Sequence, residues 1–180
     1  MTTTLTPPQE STVASFANYV LQRKKEEALV FFREAYTAQQ KREYDEAVEK
    51  YRRSIEIYPT AEAHTFLGWT YSFLGDLDAA ILECRKAIEL DPEFGNPYND
   101  IGAYLIAQGN PVSAIPYLQD ALNSKRYRAF HFAHFNLARA FESQGDLLNA
   151  FRHYKKAIEI EPTYELALQA LANLKRHKLN

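Results

Sequence analysis

The chain has 180 residues, 46% of them hydrophobic and 24% charged, and its 21 basic and 23 acidic side chains leave a formal net charge of -2. That near balance gives no electrostatic footprint for nucleic acid or an anionic membrane surface, and no apolar run approaches the roughly 20 residues that span a bilayer. The single cysteine, Cys84, excludes an internal disulfide and suits a reducing compartment.

In chain order, residues 1–10 (MTTTLTPPQE) carry neither a basic nor an apolar segment. They do not read as a secretory signal and are expected to be disordered; a cytoplasmic location is the default expectation. Residues 11–27 are predicted to form an N-terminal amphipathic helical segment, with Val13, Phe16, Val20 and Leu21 on its apolar stripe. No breaker separates it from the following QRKKEEALVFF, so a separate cap helix and one long helix both fit.

From residue 28 the chain repeats itself. Gly75, Gly109 and Gly145 are spaced 34 and 36 residues apart, as are Ala80, Ala114 and Ala150, and Ala47 precedes Ala80 by 33. Self-similarity at this period predicts four units, at about 28–60, 61–94, 95–130 and 131–164. Each unit reads as two helices. His64, Leu67, Gly68 and Tyr71 share one face of the first helix of the second unit, and Ala80, Cys84, Ala87 and Ile88 share one face of its second. Glycine breaks the first helix of each later unit. Asp76, Asn110 and Asp146 then stand at the N-cap, Pro111 fits a first turn, and Pro59, Pro92 or Pro162 stops the second helix. Residues 165–180 are expected to be a C-terminal cap helix and tail. Leu168, Leu171 and Ala172 would cover the open end of the last unit before the chain turns basic at Lys175 and Arg176.

The pattern Leu67-Gly68, Tyr71, Ala80, Pro92, and its fourth copy Leu137-Ala138, Phe141, Ala150, Tyr154, Pro162, resembles the tetratricopeptide repeat family, whose unit is a helix-turn-helix of about 34 residues. The third unit keeps Ile101, Gly102, Ala114, Leu118 and Ala121 but loses the closing proline and gains two residues near NSKRYRAF. The first has Glu34 and Ala35 where Leu-Gly is expected. The resemblance covers about residues 28–164 and implies an all-α, right-handed α-α superhelix that binds proteins or peptides on its concave side.

Catalysis needs a nucleophile with a base, a paired acid and base, or a metal cluster; none is visible, so no catalytic residue, metal or cofactor is expected. His131 and His134 lie three apart on one helix but lack an evident third ligand. His64 and His134 fill slots where the family places a bulky aromatic, which predicts packed or half-buried histidines. Cys84 reads as a small buried residue, and ELDPE (89–93) as a solvated turn. The basic SKRYR (124–128) reads as a helix end with a solvated loop, or else as a rim contact for an acidic partner. Pro116, inside its helix, is expected to bend it.

On a wheel of about 100° per residue, Trp69, Phe66 and Phe73 fall opposite the face that builds the second unit. In the resembled family that far side of each first helix lines the concave surface. The candidate partner groove is therefore Phe32 and Tyr36, Trp69 and Phe73, Asn99, and Phe132, Phe135 and Arg139. Asn99 could bond a peptide backbone and Arg139 a carboxylate. Aromatic anchors with few charges suggest an apolar or helical peptide ligand, unless these aromatics pack on each other or residues 12–27 fill the groove. Chaperone-binding members of the family carry a cationic clamp for a C-terminal carboxylate. Its slots here hold Phe32, Tyr36, Phe66, Asn96 and Asp100, or Thr65, Trp69, Asp100, Phe132 and Asn136, so that clamp is absent. The reading is a non-enzymatic adaptor or assembly chaperone with a protein or peptide ligand, no nucleic acid and no membrane insertion. A helical-repeat RNA-binding protein and a regulatory module of an enzyme complex are the competing classes.

Overall fold

A computed structural model describes residues 10–178, with side chains described for 14–176. Of residues 1–10, expected to be disordered, 1–9 lie outside the described residues, as does the side chain of Val13, whereas Glu10 opens the first helix. The backbone forms two units, one ending at Pro59 and one beginning at Thr60.

The first unit is a pair of helices, α1 (Glu10–Gln40) and α2 (Tyr44–Ile57). No break occurs near residue 27: the N-terminal stripe and the first repeat helix are one helix. Residues 14–27 are exposed along its length, Phe16 at 66% and Tyr19 at 62%. Packing begins at Ala28, where small residues let α2 approach closely: Ala28, Ala35, Ala38 and Ala47 are all buried around Tyr51. The Tyr51 hydroxyl donates to Gln39 Oε1 at 2.8 Å, and Ser54 Oγ donates to the Ala28 carbonyl at 2.7 Å. A buried polar atom costs free energy unless bonded, so these two bonds are what allow polar side chains at that interface.

The second unit contains α3 (Ala61–Phe73), α4 (Leu77–Leu90), α5 (Asn96–Ala107), α6 (Pro111–Asn123), α7 (Phe130–Ser143), α8 (Leu147–Ile160) and α9 (Glu165–Lys178). Each helix packs on the next, and the first helices of successive hairpins also touch, α3 on α5 and α5 on α7. Among the described residues the expected all-α repeat architecture is what forms. The cores follow the repeat: Ala80, Ile81 and Cys84 pack with Ile101 and Tyr104, Ala114 and Leu118 with Leu137, and Ala138 with Ala150, Tyr154 and Leu174. Pro116 lies inside α6, as its position required. In α9 the buried positions are Ala167 and Leu174, with Leu171 packed beside them. Leu168, expected on that face, is 43% exposed, and Ala172 is exposed too.

All four hairpins turn by the same device. The residue closing the first helix has positive φ, 64° at Arg42 and 83°, 80° and 77° at Gly75, Gly109 and Gly145. The next amide donates to the carbonyl five residues back, as from Glu43 to Ala38 and from Asp76 to Tyr71. This left-handed cap satisfies carbonyls that a helix end leaves open. The second helices start on side-chain caps where expected, Asp76 accepting from the Ala79 amide at 2.9 Å and Asp146 from Asn149 at 3.1 Å. Asn110 occupies the same place without such a bond; Pro111 behind it has no amide hydrogen to satisfy. The stops sit one residue before each proline, with Tyr58, Asp91 and Glu161 extended because the proline ring crowds a preceding helical residue.

Candidate functional site

The first helices of the second unit leave a cleft of about 260 Å³, walled by Phe66 and Trp69 on α3 and Phe132 on α7. Its floor is polar: Thr65, Asn96, Asn99, Asp100 and Asn136 contribute, and Tyr127 and Ala129 close one side from the α6–α7 connection. Helical spacing explains the set. Residues three or four apart share a face, so Thr65 with Trp69, Asn96 with Asp100, and Phe132 with Asn136 point the same way from three neighbouring helices.

Trp69 is 45% exposed, with its ring edge-on to Phe66 at 5.8 Å and stacked on Phe73 at 5.9 Å. Phe132 is 42% exposed. Burying such rings is worth roughly 25 cal/mol per Å² of apolar area, so both walls gain from a ligand. Beneath them runs a chain of amide bonds. Arg139 donates to Asn136 Oδ1 at 3.1 Å, Asn136 Nδ2 to Asn99 Oδ1 at 3.1 Å, and Asn99 Nδ2 to Asp100 Oδ1 at 3.2 Å. The chain fixes both asparagine rotamers. Asp100 is half-buried, and burial pushes its carboxyl up to about 7 against the weaker downward pull of the Asn99 amide.

The cleft thus brings together Trp69, Asn99 and Phe132 of the residues read from sequence. Phe73 extends the Trp69 wall along α3. Phe135 is half-buried instead, packed on Tyr154 at 5.8 Å and Tyr164 at 5.2 Å. Arg139 lies over the Phe135 ring at 5.8 Å. Phe32 and Tyr36 belong to the first unit, where Phe32 meets Tyr51 edge-on at 5.5 Å and Tyr36 is 43% exposed. Asp100, Asn96, Asn136 and Thr65 were visible only as slots lacking a clamp. Tyr127 and Ala129 were not anticipated at all: SKRYR is a loop with Lys125, Arg126 and Arg128 exposed, as expected, but its tyrosine turns inward and its charged groups have partners. Tyr127 is 1% exposed, Lys125 pairs with Glu93 at 3.2 Å, and Arg126 pairs with both Asp91 and Glu62.

The histidines pack as expected. His64 Nδ1 lies 2.6 Å from Glu83 Oε2, and Lys86 reaches Glu83 Oε1 at 2.7 Å. Burial would raise Glu83, but the bonds from His64 and Lys86 outweigh it and hold the carboxyl below its usual range. Cys84 is fully buried, its thiol pushed up by desolvation. Among the described residues, no three His, Cys, Asp or Glu side chains are grouped to hold a metal, and no helix is long and apolar enough to cross a membrane.

Comparisons with known proteins agree with three of the four hairpins. Family models described as tetratricopeptide repeat match residues 28–61, 61–94 and 131–164. The small glutamine-rich tetratricopeptide repeat-containing protein 2 of Mycosarcoma maydis is 29% identical over 46% of this chain and 24% of its own length. Its namesake from Saccharomyces cerevisiae is 31% identical over 41% of this chain and 22% of its own. The chain therefore spans about a quarter of these relatives. Among solved structures, MamA superposes with a TM-score of 0.68 at 24% identity, covering 82% of this chain and 80% of MamA. PilW, a type IV pilus biogenesis factor, gives 0.77 at 21%, covering 82% and 68%; both likenesses concern the fold.

Proposed function

The chain belongs to the tetratricopeptide repeat family, a class of protein-protein interaction modules, and from that premise we propose that it is a non-enzymatic adaptor or assembly factor holding a partner's peptide segment against α3, α5 and α7. The observation that supports this reading is the cleft itself: two large, part-exposed rings stand over a floor of oriented amides. Rings of this kind anchor interfaces, and fixed polar groups set the ligand's register. An RNA ligand would call for basic side chains along the groove; the cleft's ionisable groups are an acid and a tyrosine.

The test is selection of binders to the full chain from a displayed random-peptide library, followed by affinity measurement with a Trp69→Ala, Phe132→Ala variant of unchanged circular dichroism. Truncating two anchors is expected to weaken the selected peptides by about 30-fold or more. Peptides that bind both proteins equally would place the ligand elsewhere and sink the reading.

A further inference from the structure

We infer that the cleft between α3, α5 and α7 accepts a positively charged side chain, a lysine or arginine of the bound segment, with Asp100 as its counter-charge and Trp69 and Phe132 as its walls. This rests on the peptide-groove reading above and specifies what the segment must carry.

Three features point the same way. Asp100 is the acid of the cleft, none of the residues lining it is basic, and among the described residues no basic side chain pairs with Asp100. The guanidinium groups of the second unit near this region have partners other than Asp100. Arg139 is held on Asn136 and over Phe135, and Arg128 donates to the carbonyls of Lys125 and Tyr127. Second, aromatic ring faces carry negative quadrupole density, which attracts a cation and repels a carboxylate. Third, a part-buried carboxylate without a counter-ion is a standing cost, which an incoming ammonium or guanidinium removes. The amide oxygens of Asn99 and Asn136 each retain a lone pair for further donors.

The protonation state is consistent. Burial holds Asp100 near 7, so the empty site is part-protonated at neutral pH, and a bound cation draws it to the charged form with release of a proton. The other titratable groups within reach are Cys84 on α4, Tyr104 on α5 and Tyr127; burial raises all three, which keeps them neutral. The selectivity is opposite in sign to that of a carboxylate clamp.

Trp69 is the only tryptophan of the chain, so its fluorescence reports on this cleft. The full chain is titrated with three blocked peptides, acetyl-Leu-Xaa-Leu-amide, where Xaa is lysine, its uncharged isostere norleucine, or glutamate. The lysine peptide is expected to bind about tenfold more tightly than the norleucine one, with glutamate weakest. Asp100→Asn should erase the lysine preference, so that the lysine and norleucine peptides bind the variant alike. Equal saturable binding of all three peptides overturns the charge assignment but leaves the groove intact. A lysine preference that survives Asp100→Asn overturns it as well. A silent Trp69 with every peptide also overturns it, and the Trp69→Ala, Phe132→Ala comparison on selected peptides then decides the groove separately.

Discussion

Arg126 reaches back to Glu62, 64 positions earlier, at 2.6 Å, while its other terminal nitrogen pairs with Asp91. Its amide donates to the Glu93 carbonyl at 2.8 Å, and Tyr127 beside it is buried edge-on to Phe130 at 5.4 Å. The two-residue insertion of the third repeat is therefore a brace laid on the preceding inter-repeat turn. It also closes one side of the cleft.

The brace is held by its ring more than by its charges. Arg126, Glu62 and Asp91 are part-exposed, and such pairs contribute about 0–1 kcal/mol each, so Arg126→Ala should cost about 1 kcal/mol. Tyr127→Ala leaves a cavity beside Gly95 and should cost about 3–5 kcal/mol. The Tyr127 hydroxyl is buried near the Ala133 amide without a hydrogen bond of ordinary geometry, so Tyr127→Phe is expected to be neutral within about 0.5 kcal/mol. Urea unfolding of the three variants checks the order; a Phe variant as damaged as the Ala variant would show that the hydroxyl is bonded after all.

Close helix approach gives a second prediction. A Cβ at Gly68 would lie 2.9 Å from the Ala80 carbonyl oxygen and 3.2 Å from Cys84 Sγ. Gly68→Ala must push α3 off α4 and should cost about 1–3 kcal/mol, despite the higher helix propensity of alanine. The matching slot of the last repeat already holds alanine, Ala138, fully buried against Ala150. There the reverse change, Ala138→Gly, should be the damaging one, by about 1 kcal/mol. If Gly68→Ala raised the unfolding midpoint, propensity would outweigh the contact and the tight α3–α4 packing would be refuted.

Arg42 holds the position that glycine occupies in the other three hairpins, at φ 64°. A side chain in this region costs about 1–2 kcal/mol, partly offset because glycine gains more freedom on unfolding. Arg42→Gly is therefore expected to stabilise the first unit by about 0.5–1 kcal/mol, read as a raised midpoint in chemical denaturation. A lowered midpoint would mean that the Arg42 side chain makes a stabilising contact large enough to outweigh its backbone strain.

The hairpins were legible in the sequence because each depends on local signals: an alanine period, a glycine at the turn, a proline after the stop. Arg42 left no such signal, since a turn held by its neighbours tolerates a modest strain. Trp69, Asn99 and Phe132 were found by helical angle, which is a property of one helix. Asp100 and Asn136 were seen as positions but not as chemistry, because their roles depend on bonds to a side chain on the next helix or on the same turn. Phe135 fell on the expected side, yet Tyr164, arriving from the α8–α9 connection, packs against it. The face of α9 was misjudged at Leu168 and Ala172 for a similar reason: its rotation is set by packing on Tyr154, not by its own stripe.

His134 and His153 join α7 to α8 through their Nδ1 atoms, 3.0 Å apart, with the His153 ring stacked on Phe141 at 5.5 Å. One ring must donate and the other accept, so the contact fails when both are protonated. Burial, then the charges of His153 and Lys156, lower His134 to about 4, and burial lowers His153. Both folded values lie below that of a free imidazole, so the unfolded chain binds more protons as pH falls. The stability from this pair is therefore complete above about pH 6.5 and is lost progressively toward about pH 4. The thermal midpoint should drop between about pH 7.5 and about pH 5. His134→Phe, which puts the family's aromatic into that slot, should flatten the drop by removing the more strongly shifted group. Imidazole resonances followed by NMR over the same range separate this from carboxylate effects. Two histidines titrating near the free value, or a His134→Phe profile as steep as that of the wild type, would rule out the pair as the source of acid sensitivity.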